Sequence, residues 1–281
     1  MIHTNIPTNF SIRNLPSKLT VAATKLPASD HRTLNKKREW LENYTVEAPK
    51  TLSRNGVTSP VPAVLVFAQE EAGTAICTSP NGVILTCSHC VAETEDELDW
   101  GKTHWLLFAS GMVVAAKTVF WDPSRDLAIL IITRAPPSAL GSPASFPFIR
   151  LSPEPPRLNA RLMCFGHPGA EDLEASIPGV KTNYDTLVMS LGTFKGMAPG
   201  QDPQDNAEIG AFMHDCWTYW GHSGAPLLDR NTGALVALHS SWDDETAMRR
   251  GVPWEALDAF FQEIEKGEHG TTPEGWRWHC R

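Results

Sequence analysis

Long apolar segments are absent from this chain of 281 residues, and no run approaches the roughly 18–20 apolar residues of a membrane helix. The first residues also lack the apolar stretch of a secretory signal, so we expect a cytoplasmic protein without a membrane partner. Six cysteines are too few for a disulfide scaffold, and we expect reduced thiols. Hydrophobic residues at 42% and charged residues at 20% exclude a largely disordered chain.

An overall positive charge is also missing, since the formal net charge is −8. The distribution is uneven, because residues 1–60 carry nine Lys and Arg against four Asp and Glu, and the remaining residues are acidic. An acidic body argues against a nucleic-acid partner. For the basic segment at 1–60 three interpretations stay open: a solvated extension, a contact with another domain or partner, or an inhibitory role.

The segment Cys87-Ser-His89-Cys90 contains residue types that bind zinc. A zinc finger needs a second Cys or His pair at matching spacing downstream, and the sequence has none. We therefore expect neither a metal nor another cofactor.

Turn residues and prolines divide the chain into segments. Short apolar runs separated by turn signals begin at residue 61, and seven prolines between residues 136 and 156 exclude a central strand or helix there. No helices alternate with the strands, so the pattern favours antiparallel barrels in an all-β fold. The predicted segments are an extension at 1–60 with one helix from Asp30 to Tyr44, a first barrel at about 61–135, a connector at 136–156, a second barrel at about 157–250, a C-terminal helix at about 253–266 and a tail at 268–281.

Three short patterns carry the residue types of nucleophilic catalysis. A histidine, His89, ends the apolar run that starts at Gly82, and Asp126 stands just before another apolar run. Ser223 lies in the turn Gly221-His-Ser-Gly-Ala-Pro226. A hydroxyl nucleophile needs a base to take its proton and a carboxylate to orient that base. A glycine turn can in addition aim backbone N–H groups at an oxyanion.

In the order His, Asp, Ser, these motifs resemble those of the chymotrypsin-like (trypsin-fold) serine peptidases over about residues 61–265, within a predicted peptidase domain at 61–267. Phe165-Gly-His-Pro-Gly169 and Leu235-Val-Ala-Leu-His239 resemble two segments of the high-temperature-requirement and glutamyl-endopeptidase branches. The resemblance implies two six-stranded antiparallel barrels packed face to face, and an endopeptidase that acts through an acyl-enzyme on peptide or protein substrates. A catalytically inactive module that binds peptides or partners is the alternative, and an esterase would share the same residues.

By this resemblance His89 is the general base, Asp126 orients it and Ser223 is the nucleophile. The N–H groups of Gly221 and Ser223 are expected to form the oxyanion hole. His222 stands where digestive enzymes carry an aspartate that pairs with a newly cut N-terminus, so no activation of that kind is implied.

The same resemblance predicts two substrate-binding residues. His239 aligns with a histidine that contacts an acidic side chain, and Thr218 aligns with a hydroxyl in the same pocket. Both can donate to a carboxylate, so we expect cleavage after Glu or Asp. The opposing hypothesis is a preference for basic residues, set by the acidic clusters at 93–99 and 243–245. A further alternative for His239 is an inward strand residue whose ring bonds to a neighbour.

Overall fold

In its described residues, the N-terminal extension contains two very short strands and three helices. The computed structural model describes residues 2–7, 11–16, 18–69, 73–139, 145–270 and 276–281. The extension's elements are β1 (His3–Thr4), β2 (Arg13–Asn14), α1 (Val21–Thr24), α2 (Ala28–Asn43) and α3 (Lys50–Arg54).

Six strands form the first barrel. They are β3 (Val64–Phe67), β4 (Thr74–Ser79), β5 (Val83–Thr86), β6 (His104–Phe108), β7 (Val113–Asp122) and β8 (Leu127–Ala135). The order is β7-β6-β3-β4-β5-β8, and antiparallel pairing of β7 with β8 closes the barrel. The short strand β1 adds to β7, and β2 adds to β8.

Six further strands form the second barrel, with the order β10-β11-β14-β13-β12-β9. They are β9 (Arg161–Gly166), β10 (Val188–Met197), β11 (Phe212–His214), β12 (Pro226–Asp229), β13 (Leu235–Asp243) and β14 (Met248–Pro253), and helix α4 (Trp254–Glu265) follows. The predicted fold class is therefore confirmed: two closed six-stranded antiparallel barrels, an N-terminal extension and a C-terminal helix.

The strands of the first barrel are buried on both faces, which explains why their sequences are apolar without alternation. Side chains on one face of these strands fill the interior of the barrel, and α2, α4 and the end of the chain cover much of the outer face. Leu34, Phe260 and Trp278 therefore belong to the same hydrophobic core as the strands. The second barrel has a smaller core of its own, in which Phe194 stacks on Phe212 with ring centroids 4.2 Å apart. The two barrels therefore offer a rigid frame on which a site can be built.

The extension packs against the chain's own barrels. The ammonium of Lys37, in α2, donates to the carbonyls of Phe67 and Gln69 at 2.9 and 3.0 Å. The α3 region bonds to the second barrel, where Thr51 Oγ1 donates to the carbonyl of Arg230. Leu34 is fully buried. The interpretation of a solvated extension is thus wrong over 28–54, because this segment buries apolar and charged groups; a contact with another partner stays a prediction.

The tail also returns to the first barrel. Trp278 is fully buried, and its ring meets the ring of Phe120 edge-on with centroids 5.1 Å apart. The carbonyl of Trp278 accepts a hydrogen bond from Thr78 Oγ1 at 2.8 Å. Nowhere in the described ranges is there a helix of the length and apolarity that crossing a membrane requires.

Candidate active site

Two strand ends of the first barrel bring His89 and Asp126 together. His89 lies in a single helical turn just after β5, and Asp126 ends the turn between β7 and β8. Asp126 has a φ of 54°, in the left-handed region that aspartate tolerates better than most residues. The ring nitrogen Nδ1 of His89 lies 2.9 Å from Asp126 Oδ1. The carboxylate is thus placed to fix the orientation of the imidazole.

Four donors hold the buried carboxylate of Asp126. One oxygen accepts from Ser88 Oγ at 3.0 Å, from the backbone N–H of His89 at 3.3 Å and from the His89 ring. The other accepts from Ser240 Oγ at 2.7 Å. Because both oxygens are bonded, the carboxylate has a single defined orientation.

The pKa values of the pair move apart. Burial alone would raise the pKa of the Asp126 carboxyl, but the charge and hydrogen bond of His89 and the Ser240 hydroxyl outweigh it, so this pKa is lowered. Burial alone would lower the pKa of His89, and the carboxylate of Asp126 more than compensates, so this pKa is raised above 6.5. Asp126 therefore carries a charge, and the pKa of the neighbouring His89 lies above its ordinary value.

Ser223 occupies a turn that only glycines can flank. Gly221 and Gly224 have φ values of +93° and +80°. A Cβ on Gly224 would lie 2.1 Å from the carbonyl oxygen of Thr74, and one on Gly221 would lie 2.5 Å from the carbonyl oxygen of His167. Both positions therefore exclude a side chain on conformational and steric grounds.

The hydroxyl of Ser223 donates to the carbonyl of Ser240 at 3.1 Å. Among the described residues no hydrogen bond joins it to His89, so the structure brings the histidine and aspartate into contact and leaves the serine directed to the neighbouring strand. The N–H groups of Gly221 and Ser223 donate to no acceptor in the described part of the chain. Two unpaired backbone N–H groups next to a serine hydroxyl are a donor pair suited to an oxyanion.

Thr74 ties this turn to the first barrel. Its backbone N–H donates to the carbonyl of Ser223 at 2.8 Å, and its hydroxyl donates to the carbonyl of Gly221 at 3.0 Å. The serine of the second barrel is thus fixed to the barrel that carries His89 and Asp126.

The two residues expected in the specificity pocket differ in their surroundings. His239 is buried, and its Nδ1 lies 3.1 Å from Nε2 of His214. Its ring is therefore bonded to a neighbour, as the alternative interpretation states, but only through Nδ1. Thr218 is half-buried, and no hydrogen bond joins it to His239 among the described residues.

His222, next to Ser223 in the sequence, is a buried packing residue. Its ring meets the ring of Trp217 edge-on with centroids 5.4 Å apart. Burial is the main reason that its pKa is lowered to about 3, so it stays neutral. Gly166 makes room for it, since a Cβ there would lie 2.1 Å from the ring.

Cys87, His89 and Asp126 lie close together but are an unfavourable set of metal ligands. Possible ligand atoms of Cys87, His89 and Asp126 lie within 4.8 Å of one another. Burial and then the charge of Asp126 raise the pKa of the Cys87 thiol far above its usual range, which disfavours the thiolate that binds metals. The carboxylate already accepts four hydrogen bonds. All six cysteines lie in the described residues, and none is paired.

Sequence reasoning missed three residues of the site. Ser88 and Ser240 bind the carboxylate of Asp126, and Thr74 fixes the serine turn. Ser88 adjoins His89 and Ser240 adjoins His239, so a hydroxyl next to each candidate histidine was the available signal. Thr74 gave none, because a threonine that begins a strand is ordinary.

Two six-stranded barrels with a His–Asp pair and a glycine-flanked serine at their junction define a chymotrypsin-like architecture. The family model described as trypsin-like peptidase domain matches residues 73–238. This range exceeds half of the chain, and the protein belongs to that family of serine proteases. Comparison with curated proteins gives no match.

Three solved structures illustrate the likeness. The active form of the Rv3671c protease from M. tuberculosis is 17% identical, with 84% of this chain and 93% of that chain covered and a TM-score of 0.54. An inactive form of Rv3671c is 18% identical, with 79% and 98% covered and a TM-score of 0.52. A serine endoprotease from Yersinia pestis is 19% identical, with 79% and 67% covered and a TM-score of 0.52. At these identities the likeness concerns the fold.

Proposed function

We propose that the protein is a serine endopeptidase in which Ser223 is the nucleophile, His89 the general base and Asp126 its orienter. The observation that carries the proposal is the 2.9 Å contact between His89 Nδ1 and a carboxylate held by three further donors. This arrangement leaves Nε2 of His89 as the atom that takes the proton.

The reaction proceeds in two displacements. Ser223 Oγ leaves the carbonyl of Ser240, gives its proton to His89 Nε2 and attacks the carbonyl carbon of the peptide bond. The N–H groups of Gly221 and Ser223 stabilise the oxyanion of the tetrahedral intermediate. His89 then returns the proton to the leaving amine, and the C–N bond breaks to give an acyl-enzyme.

Water completes the cycle. His89 takes a proton from a water molecule, which attacks the acyl carbon, and the ester bond to Ser223 breaks with return of the proton to Oγ. Throughout both steps the charge of Asp126 favours the imidazolium form of His89. The carboxylate itself stays ionised.

A fluorophosphonate probe tests the proposal. We expect labelling of the wild-type protein on the peptide that contains Ser223, and no labelling of Ser223→Ala or His89→Ala. Ser241→Ala is the matched control, because this neighbouring hydroxyl accepts from the Gly210 N–H and does not touch Asp126. An unlabelled, folded wild-type protein would favour a module that binds peptides without cleaving them. Labelling together with cleavage of esters but not of peptides would favour an esterase.

A further inference from the structure

Arg249 lies on the face of the second barrel that carries the buried histidines. It is paired in register with His214 of β11 on one side and with Trp242 of β13 on the other. Directly paired residues of antiparallel strands project from the same face. The guanidinium carbon lies 4.7 Å from the centroid of the Trp242 ring. The tryptophan therefore packs against one face of the cation.

This cation lies beside the strand that holds the hydroxyl of Ser223. Ser223 Oγ donates to the carbonyl of Ser240, and Trp242 stands two residues further along the same strand. Two strand residues span about 6–7 Å. Arg249 thus neighbours the strand segment that runs beside Ser223, where the side chain preceding a scissile bond would lie.

The neighbouring carboxylates are already paired with other cations. Asp243 accepts from Arg250 at 2.8 and 3.1 Å, and Asp215 pairs with Lys195 at 2.7 Å. Within the described ranges no carboxylate pairs with Arg249, and its Nε is buried without a hydrogen-bond partner. A buried donor of a charged group that lacks an acceptor is unfavourable, and a bound carboxylate would supply the acceptor.

The histidines add a neutral donor to this cation. Nδ1 of His214 is buried without a partner, and an orphan N–H is rarer than an orphan acceptor. The proton of His214 is therefore assigned to Nε2, which donates to Nδ1 of His239 at 3.1 Å. Because Nδ1 of His239 accepts this bond, the proton of His239 is on Nε2. Nε2 itself makes no hydrogen bond among the described residues. Burial and the nearby histidines and Arg249 hold the pKa of His239 well below 6.5, so its ring carries no charge.

We infer that Arg249 is a specificity-determining residue, whose guanidinium binds the carboxylate of a Glu or Asp side chain just before the scissile bond, with His239 Nε2–H as a second donor. This inference rests on the proposed function and names the substrate class of the same site. Asp243, one of the acidic residues at 243–245, is paired with Arg250 and so offers no free carboxylate to a basic side chain.

Matched peptides test the inference. Peptides that differ only in Glu or Gln, or in Asp or Asn, before the cleaved bond have nearly the same size and differ by one charge. Charge-assisted hydrogen bonds give an expected preference in kcat/KM of roughly ten- to hundredfold for the acid. We expect Arg249→Gln to remove most of this preference, so that the acid and amide peptides are hydrolysed with similar kcat/KM. Arg249→Lys should keep part of it. Arg157→Gln is the control, because it removes an equal charge from an exposed position.

Binding to Ser223→Ala separates this inference from the proposed function. In this background, calorimetry measures the affinity for the Glu and Gln peptides without any turnover. Tighter binding of the Glu peptide that disappears in Ser223→Ala/Arg249→Gln supports the inference even if wild-type hydrolysis fails. Equal binding of both peptides, an unchanged preference in a folded Arg249→Gln protein, or cleavage mainly after Arg or Lys would overturn it while leaving the serine mechanism intact.

Discussion

Asp126 is the residue on which the geometry of the site depends. Its backbone adopts a left-handed conformation, its side chain is buried, and four hydrogen bonds fix both oxygens. A carboxylate in this position stabilises the imidazolium that forms when His89 takes a proton. The charge of this one buried residue raises the pKa of His89, and under the proposed mechanism it shifts the pH range in which His89 can act as a base.

The pH dependence of hydrolysis follows from the raised pKa of His89. Its neutral form must take the proton, so kcat/KM is expected to fall as the pH decreases through a value above 6.5. Asp126→Asn removes the charge that raises this pKa and leaves the burial that lowers it, so the acid limb should move to lower pH. The variant should also lose about 10⁴ in kcat. Profiles of kcat/KM for both proteins between pH 4 and 9 (a range of about five units around the His pKa) measure the shift. An acid limb at the same pH in both proteins would contradict this prediction.

Ser240 is expected to act as a positioning residue. Ser240→Ala removes the 2.7 Å hydrogen bond to Asp126 Oδ2, which frees one oxygen to rotate. A hydrogen bond to a charged group contributes about 1.5–3 kcal/mol, so we expect kcat to fall by roughly tenfold or more. Steady-state kinetics should show the loss in kcat rather than in KM. Ser241→Ala should keep most of the activity, and an equal loss in both variants would argue against a specific role for Ser240.

The residues of the candidate site were visible in the sequence, and the residues that support them were not. His89, Asp126 and Ser223 each follow or precede a recognisable strand, so their chain order carried the prediction. Ser240 and Thr74 act through contacts with residues more than a hundred positions away in sequence. Such contacts depend on how the barrels pack, which no local pattern encodes. In the same way, only the folded structure shows that no carboxylate of the described residues pairs with Arg249, because the carboxylates near it bind other cations.

At the scale of elements, one arginine joins the turn of Asp126 to helix α4. Arg125 donates to Asp122 Oδ2 at 3.1 Å, and its two terminal nitrogens donate to the carboxylate of Glu263 at 2.9 and 2.5 Å. Its Nε donates to Gln204 at 2.7 Å. This set connects β7, α4 and a loop of the second barrel directly next to Asp126. We infer that it restrains the turn.

Arg125→Ala should lower the free energy of unfolding by about 1–3 kcal/mol, because several hydrogen bonds of a mostly buried charged group are lost. Urea denaturation gives this value. The exposed pair of Arg38 and Glu42 is the comparison, since Arg38→Ala should cost only about 0.3–0.5 kcal/mol. Similar small effects for both variants would show that α4 is not held through Arg125.

Strands were predictable where their residues are apolar. The run 127–132 lies within β8, and the run 83–86 coincides with β5. Strand β14 escaped prediction because Arg249 and Arg250 interrupt its apolar pattern, and Gly251 and Pro253 suggest a loop. The glycine is required by packing, since a Cβ on Gly251 would lie 2.3 Å from the carbonyl oxygen of Leu238. Tertiary packing thus overrides the local preference here.

At the scale of the whole molecule, segments outside the barrels complete the first core. Leu34 of the extension and Trp278 near the end of the chain are both fully buried in it. Helix α2 also approaches the turn between β6 and β7, where a Cβ on Gly111 would lie 2.5 Å from Glu42. The sequence indicated the charge of the extension and a helix from Asp30 to Tyr44, close to the observed Ala28–Asn43, but not how the extension packs.

Leu34→Ala tests whether the extension is part of the folded unit. Deletion of a fully buried leucine side chain should lower the free energy of unfolding by about 2–5 kcal/mol, through lost apolar contact and a cavity. Thermal and urea unfolding of the full chain measure it. Lys36→Ala, an exposed substitution on the same helix, should change the value by less than about 0.5 kcal/mol. An unaffected Leu34→Ala protein would mean that the helix is not docked in solution.

Ser223 and His89 are proposed to act as one catalytic unit, and a double-mutant cycle on peptide hydrolysis distinguishes this claim from two independent roles. We predict that Ser223→Ala and His89→Ala each lower kcat by a factor on the order of 10⁴ to 10⁶, and that the double variant loses no more than the worse single variant, because residues of one unit are not additive. Turnover within about tenfold of the wild type in either variant, or losses that multiply in the double variant, would contradict the claim.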